Sequence, residues 1–206
     1  MLTVKQLCPD PTALGLSADI RGWNGRHPIF AQCVEHHKVT DICEVGCWLG
    51  HGTLHLAGLT KGNVYCVDTW LGGYDHLIFA DRADCHIPRR HGYPELYQQW
   101  LYNIATSEHW DKVIPIPQTS INGARLLKKD GKTFRMIVID ASHEYDDVYA
   151  DLCAYDGLLT RDGVMVVDDF RTHPGVFHAT LRFAHERNWE MREMSPFVLL
   201  NRRAAA

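Results

Sequence analysis

Residues 135–168 read RMIVIDASHEYDDVYADLCAYDGLLTRDGVMVVD, and this stretch decides the fold. Arg135-Met-Ile-Val-Ile-Asp140 is a nearly unbroken apolar run ending in an acid, and Gly163-Val-Met-Val-Val-Asp168 repeats that design. A strand with apolar side chains on both faces is buried on both sides, as in a parallel sheet. Between the two runs, Glu144 to Leu159 has helical period, with Val148, Leu152, Tyr155 and Leu159 on one face. Strand, helix and parallel strand form the repeating unit of α/β proteins.

The same alternation extends in both directions. Upstream lie apolar runs at Val39–Val45, Asn63–Asp68 and Lys112–Ile116, separated by helical segments at about His51–Leu59 and Pro94–Ser107. Pro115 places the third run near a sheet edge or ends it early, because proline cannot donate to a central ladder. Ser120–Lys128 is helical, and a helix at Pro28–His37 precedes the first run. Downstream, Pro174–Asn188 is helical, and Trp189–Met194 with Phe197–Asn201 form a closing antiparallel pair. The expectation is a doubly wound, Rossmann-like, mostly parallel seven-stranded sheet with helices on both faces, in a single domain spanning 1–206. Two segments depart from the alternation. Residues 1–26 are rich in turn formers and read as an N-terminal cover. Residues 71–93 form a connection long enough to serve as a lid.

Composition agrees with one ordinary globular unit: 206 residues, 46% apolar and 22% charged. The formal charge is −4, and the longest basic runs are pairs such as Arg89-Arg90 and Lys128-Lys129, so a nucleic-acid surface is not expected. No apolar run reaches membrane-spanning length and the first residues lack a signal-peptide layout, which points to a cytoplasmic protein without a membrane partner. Seven cysteines, an odd number, with Cys43 and Cys47 spaced C-x-x-x-C and no second pair, argue against disulfides and a zinc ribbon.

Ligands of such sheets bind beyond the carboxyl ends of the strands. Those ends are acidic here: Glu44, Asp68, Asp140, and the pair Asp168-Asp169. Carboxylates there are costly unless solvent, a ligand or a cation meets them, although each also precedes a helix and has capping as an alternative role. The first strand leads into Gly46-Cys-Trp-Leu-Gly50-His-Gly52, which lacks the G-x-G-x-x-G spacing of a pyrophosphate cradle. A nucleoside needs only close backbone approach, which Gly46 and Gly50 allow. Asp68 is then placed to accept from a ribose diol.

Glu44-Val-Gly-Cys-Trp-Leu-Gly50, Val67-Asp-Thr-Trp70, Ile139-Asp-Ala-Ser-His-Glu-Tyr145, Ala150-Asp151, Asp162-Gly163 and Val167-Asp-Asp169 together resemble the class I S-adenosylmethionine-dependent methyltransferases. The resemblance is to the branch of metal-dependent macrolide-sugar and other small-molecule O-methyltransferases, and it runs from about residue 29 to 201. It implies S-adenosylmethionine over the first two strand ends, with Glu44 and Gly46 at the methionine part, Asp68 at the ribose, Thr69 or Trp70 at the adenine, and the Gln118-Thr-Ser120 turn closing the adenine side. Trp48 stands where the commoner E-x-G-x-G-x-G pattern has glycine.

The implied chemistry is methyl transfer to a hydroxyl of a small, sugar-bearing or phenolic acceptor. An alcohol needs activation, which a divalent cation and a base together provide. Asp140, Asp168 and Asp169 form an oxygen donor set suited to Mg²⁺, with Mn²⁺ or Ca²⁺ as substitutes. The resemblance gives His143 the base role, and imidazole suits proton removal near pH 7. Adjacent strand residues face opposite ways, so Asp168 and Asp169 both reach a cation only if the strand has become loop at Asp169. Otherwise one of them is a cap and a metal-free site using His143 gains ground.

His51 and His55 are spaced four apart without the glutamate of a zinc protease and read as surface or cofactor-side residues. No G-x-S-x-G elbow accompanies Ser142-His143. Trp23, Trp70, Tyr74 and Phe79 are candidates for an aromatic wall around a ring-shaped acceptor, with core packing as the alternative. Two other functions stay open at this level: a metal-dependent hydrolase or hydroxylase-like enzyme, and a nucleoside-binding protein without turnover. Self-association and the acceptor are left undetermined.

Overall fold

A computed structural model describes residues 1–74, 86–87 and 89–203. Most of the expected 71–93 lid, including Phe79, lies outside the described residues. The chain begins with a short helix, α1 (Val4–Leu7), and a 3₁₀ turn at Pro11–Leu14. The main body follows as α2 (Ile29–His36), β1 (Ile42–Val45), α3 (His51–Leu59) and β2 (Val64–Asp68). After the two-residue strands β3 (Arg89–Arg90) and β4 (Tyr93–Pro94) come α4 (Leu96–Ala105), β5 (Val113–Pro117), α5 (Ser120–Lys129), β6 (Phe134–Ile139), α6 (Tyr145–Asp156), β7 (Leu159–Val167), α7 (Pro174–Arg187), β8 (Trp189–Met194) and β9 (Phe197–Arg202).

Seven strands form one sheet in the order β5-β2-β1-β6-β7-β9-β8. The first five are parallel; β9 runs antiparallel to both β7 and β8. Side-chain alternation divides the strands between two apolar layers. Ile42, Val64, Met136, Val138, Val164 and Val166 pack with Phe30, Leu56, Trp100 and Ile104 from α2, α3 and α4. Cys43, Val45, Val67, Ile137, Ile139, Met165 and Val167 pack with Leu127, Leu152, Tyr155 and Phe183 from α5, α6 and α7. Burial on both faces is why β6 and β7 show no polar alternation in sequence.

Pro115 lies on β5, which has a ladder partner on one side alone. One boundary differs from the periodicity. Leu159 opens β7 instead of closing the helical face, because α6 ends at Asp156 and the chain turns at Gly157. The C-terminal antiparallel pair closes this side of the sheet, with β9 joined to β7 and β8 at the edge.

From β1 the chain builds outward to β2 and β5, then returns to the other side of β1 as β6 and β7. The crevice at this reversal lies between the ends of β1 and β6, where open α/β sheets bind ligands. Gly46 is the residue that makes it possible. Its φ of +87° belongs to the left-handed region, and a β-carbon there would run into the Asp140 carbonyl.

Candidate active site

Two cavities open at the strand ends and share Gly46, Trp48, Asp140 and Ala141. The first, about 400 Å³, lies over β2, β5 and β6 and is lined by Asp68, Thr69, Gln118, Ser120, Ile121 and Asp151, among others. The second, about 420 Å³, lies over β1, β6 and β7 and is lined by Glu44, His51, His143, Asp168, Asp169 and His173. Its outer wall is the segment Arg21–Gly25, which lies against the start of α3; a β-carbon on Gly22 or Gly25 would strike His51.

Asp68 organises the glycine turn as well as facing the first cavity. Its Oδ2 accepts from the Cys47 and Trp48 backbone N–H groups at 2.7 and 3.1 Å, and its Oδ1 from Trp70 N–H at 2.7 Å. Glu44 is buried under α3, where it accepts the Thr53 hydroxyl. Burial pushes its carboxyl up to about 7 despite hydrogen bonds from Thr53 and the neighbouring thiols.

The β7 end resolves the question of side-chain direction. The strand stops at Val167, and Asp169 adopts φ +56°, a left-handed turn conformation. Asp168 and Asp169 therefore both face the second cavity, together with Asp140. Asp168 accepts from Asp169 N–H at 2.6 Å and from Asn24 Nδ2 at 3.5 Å. Burial and then the charge of Asp169 raise Asp168 to about 7. Asp140 is exposed to both cavities. The protein packed around its carboxyl, followed by the charges of Asp168, Asp169, Glu44 and Asp68, raises its pKa.

His143 sits in the turn before α6, and its Nε2 lies 3.2 Å from Asp169 Oδ2. The His173 ring, at the N-cap of α7, stacks on it with centroids 3.9 Å apart and planes 17° from parallel. Burial works against the Asp169 charge, but hydrogen bonds from His143 and Thr172 hold its pKa below the ordinary value. Among the described residues, the sets with ligating atoms within 4.8 Å of one another are His143–Asp169–His173 and Glu44–Cys47–Cys66. The three aspartates share a cavity without being drawn to that separation.

Of the residues expected at the site, Glu44, Gly46, Asp68, Thr69, Gln118, Ser120, Asp140, His143, Asp168 and Asp169 line one cavity or the other. Gly50 and Trp70 do not. Gly50, φ +91°, caps α3 against Trp100 and Ile104, so its task is the turn itself. The Trp70 side chain is 1% exposed among Tyr97 and Trp100, with its indole N–H donated to the Trp48 carbonyl. The aromatic wall is likewise divided: Trp23 lines the second cavity and Tyr74 the first. His51, read from its spacing as a surface or cofactor-side residue, lines the second cavity, and His173, Asn24 and Asp151 are lining residues to which sequence patterns gave no role. Only Asp151 carried a signal, as a charged residue on the buried side of a helix.

This sheet order, with paired cavities at the β1/β6 switch point, defines the class I methyltransferase fold. Residues 43–170 match the family model described as a methyltransferase domain, and the chain belongs to that family. Among solved structures, the O-methyltransferase NovP aligns with TM-score 0.63 at 18% identity, over 87% of this chain and 80% of NovP. The calicheamicin methyltransferase CalS11 aligns with TM-score 0.58 at 14% identity, over 96% and 80%. An O-methyltransferase from Bacillus cereus in complex with SAH gives 0.54 at 16%, over 96% and 88%. At these identities the likeness is one of fold. No curated protein matches by sequence. No helix among the described residues is long and apolar enough to cross a membrane.

Proposed function

We propose that the protein transfers a methyl group from S-adenosylmethionine to a hydroxyl of a small sugar-bearing or phenolic molecule, with a divalent cation assisting. The observation that carries this reading is the meeting of two cavities at Gly46 and Asp140. The adenosine occupies the first, the methionine part crosses beside Gly46 and Glu44, and the acceptor enters the second. The donor supplies a methyl on a positively charged sulfur. The bond from acceptor oxygen to methyl carbon forms as the carbon–sulfur bond breaks toward sulfur, so alignment is the protein's main contribution.

Asp68 fixes the glycine turn and faces the ribose, while Thr69 and Gln118 border the base. With its Nε2–H donated to Asp169, His143 carries the lone pair on Nδ1, which takes the acceptor proton. Asp169 holds the imidazole in that tautomer and His173 restrains the ring plane. The oxygen donors Asp140, Asp168 and Asp169 face one cavity and suit a divalent cation by their chemistry; its binding would draw them closer than they stand and relieve their mutual repulsion. Such an ion, Mg²⁺ by its oxygen donors, would lower the acceptor hydroxyl's pKa. Calorimetric titration of the protein with S-adenosylmethionine, followed by acceptor assays with and without Mg²⁺, tests the reading. Absence of donor binding refutes it; donor binding with metal-independent transfer removes the cation.

A further inference from the structure

Asp151 is a buried charge in the first cavity to which the mechanism assigns no task. It stands within α6, 3% exposed, and lines the cavity near Ala150, Asp147 and Ser142. Its mid-helix position excludes an N-cap role. Oδ1 accepts the Ser120 hydroxyl, and the Tyr155 hydroxyl donates to the Ser120 carbonyl at 2.9 Å, so the rotamer is tied to the start of α5. Oδ2 takes no hydrogen bond from any described residue.

A carboxylate largely withdrawn from water, with one oxygen met only by what enters the cavity, is costly. Burial accordingly raises its pKa to about 6, with Asp147 adding and Ser120 opposing. That cost is offset if a ligand brings an N–H to Oδ2. The rest of the cavity favours a flat ring edged by such a donor: Val45, Val67, Leu96 and Ile121 supply apolar surface.

Resting on the donor reading above, we infer that Asp151 reads the purine edge: its Oδ2 accepts the exocyclic amine of the donor's adenine. Asp151 is thereby the residue that separates an adenosyl from an inosyl donor, whose 6-oxo group would set a carbonyl oxygen against the carboxylate. A site built to receive an N–H discriminates strongly against an analogue that lacks it.

The test is calorimetric affinity for S-adenosylhomocysteine and S-inosylhomocysteine in the wild type and in Asp151→Asn, which keeps an oxygen for the Ser120 hydroxyl. The wild type is expected to favour the adenosyl compound by at least about tenfold, and the variant to bring the two within about threefold of each other. A role in holding α5 to α6 alone would weaken both ligands together and leave their ratio unchanged, which overturns the inference. So does equal binding by the wild type, a measurement that needs no variant to fold. Failure of the wild type to bind either compound refutes the donor reading itself.

Discussion

His143 Nε2 and Asp169 Oδ2 lie 3.2 Å apart, one from the turn after β6 and the other from the turn after β7. The contact depends on the left-handed backbone at Asp169, which swings its carboxylate to the same side as that of Asp168. A base on one strand end is thus oriented by an acid on the next.

His143→Ala is expected to slow methyl transfer by about 10²–10⁴-fold, the usual worth of a positioned base. Donor affinity should stay unchanged, since His143 lines the second cavity and not the first. Single-turnover rates with calorimetric donor binding check this, and an equal loss in both would remove the base assignment.

Asp68→Ala removes the acceptor of three backbone N–H groups that shape the glycine turn. The variant should bind donor at least about tenfold more weakly, because charge-assisted hydrogen bonds are the stronger kind. Asp68→Asn retains acceptor capacity on one oxygen and should fall between the two. Undiminished affinity in Asp68→Ala would contradict the assignment.

Glu44 makes stability depend on pH in a direction opposite to that of a salt-bridged acid. Its folded pKa is raised from 4.5 to about 7, so between those values the folded protein keeps a proton that the unfolded chain has released. Stability attributable to this group is therefore fully present below about 4.5 and falls as pH rises toward 7, by about 3 kcal/mol at most. Glu44→Gln should gain relative to wild type across that interval and hold its gain above it. Chemical denaturation at pH 5 and 8 measures the difference, and a difference that shrinks with rising pH would contradict the sign.

Asp168 tests the cation. Burial, and then the charge of Asp169, raise it to about 7, so Asp168→Asn should melt a few degrees higher than wild type in the absence of metal at pH 8. Added Mg²⁺ should raise the wild-type melting temperature and leave that of the variant unmoved. A similar Mg²⁺ response in both would place the ion elsewhere.

The sheet was legible in the sequence because burial on two faces leaves an unmistakable mark: β6 from Met136 and β7 from Gly163 are uninterrupted by any polar side chain, and each is followed by an acid where the core stops. The convergence of Glu44, Asp68, Asp140, Asp168 and Asp169 followed from the same reading, since parallel strands present all their carboxyl ends on one edge. Tertiary structure alone decided which side chains look into which cavity. Trp70 follows Asp68 closely in the chain yet turns into the core, because its φ of +52° and the ring cluster with Tyr97 and Trp100 set its direction. His173 meets His143 because α7 starts beside the turn that precedes α6, a proximity without local signature. Periodicity records whether a side chain is buried; the backbone angles at strand ends, and the elements packed there, determine what it touches.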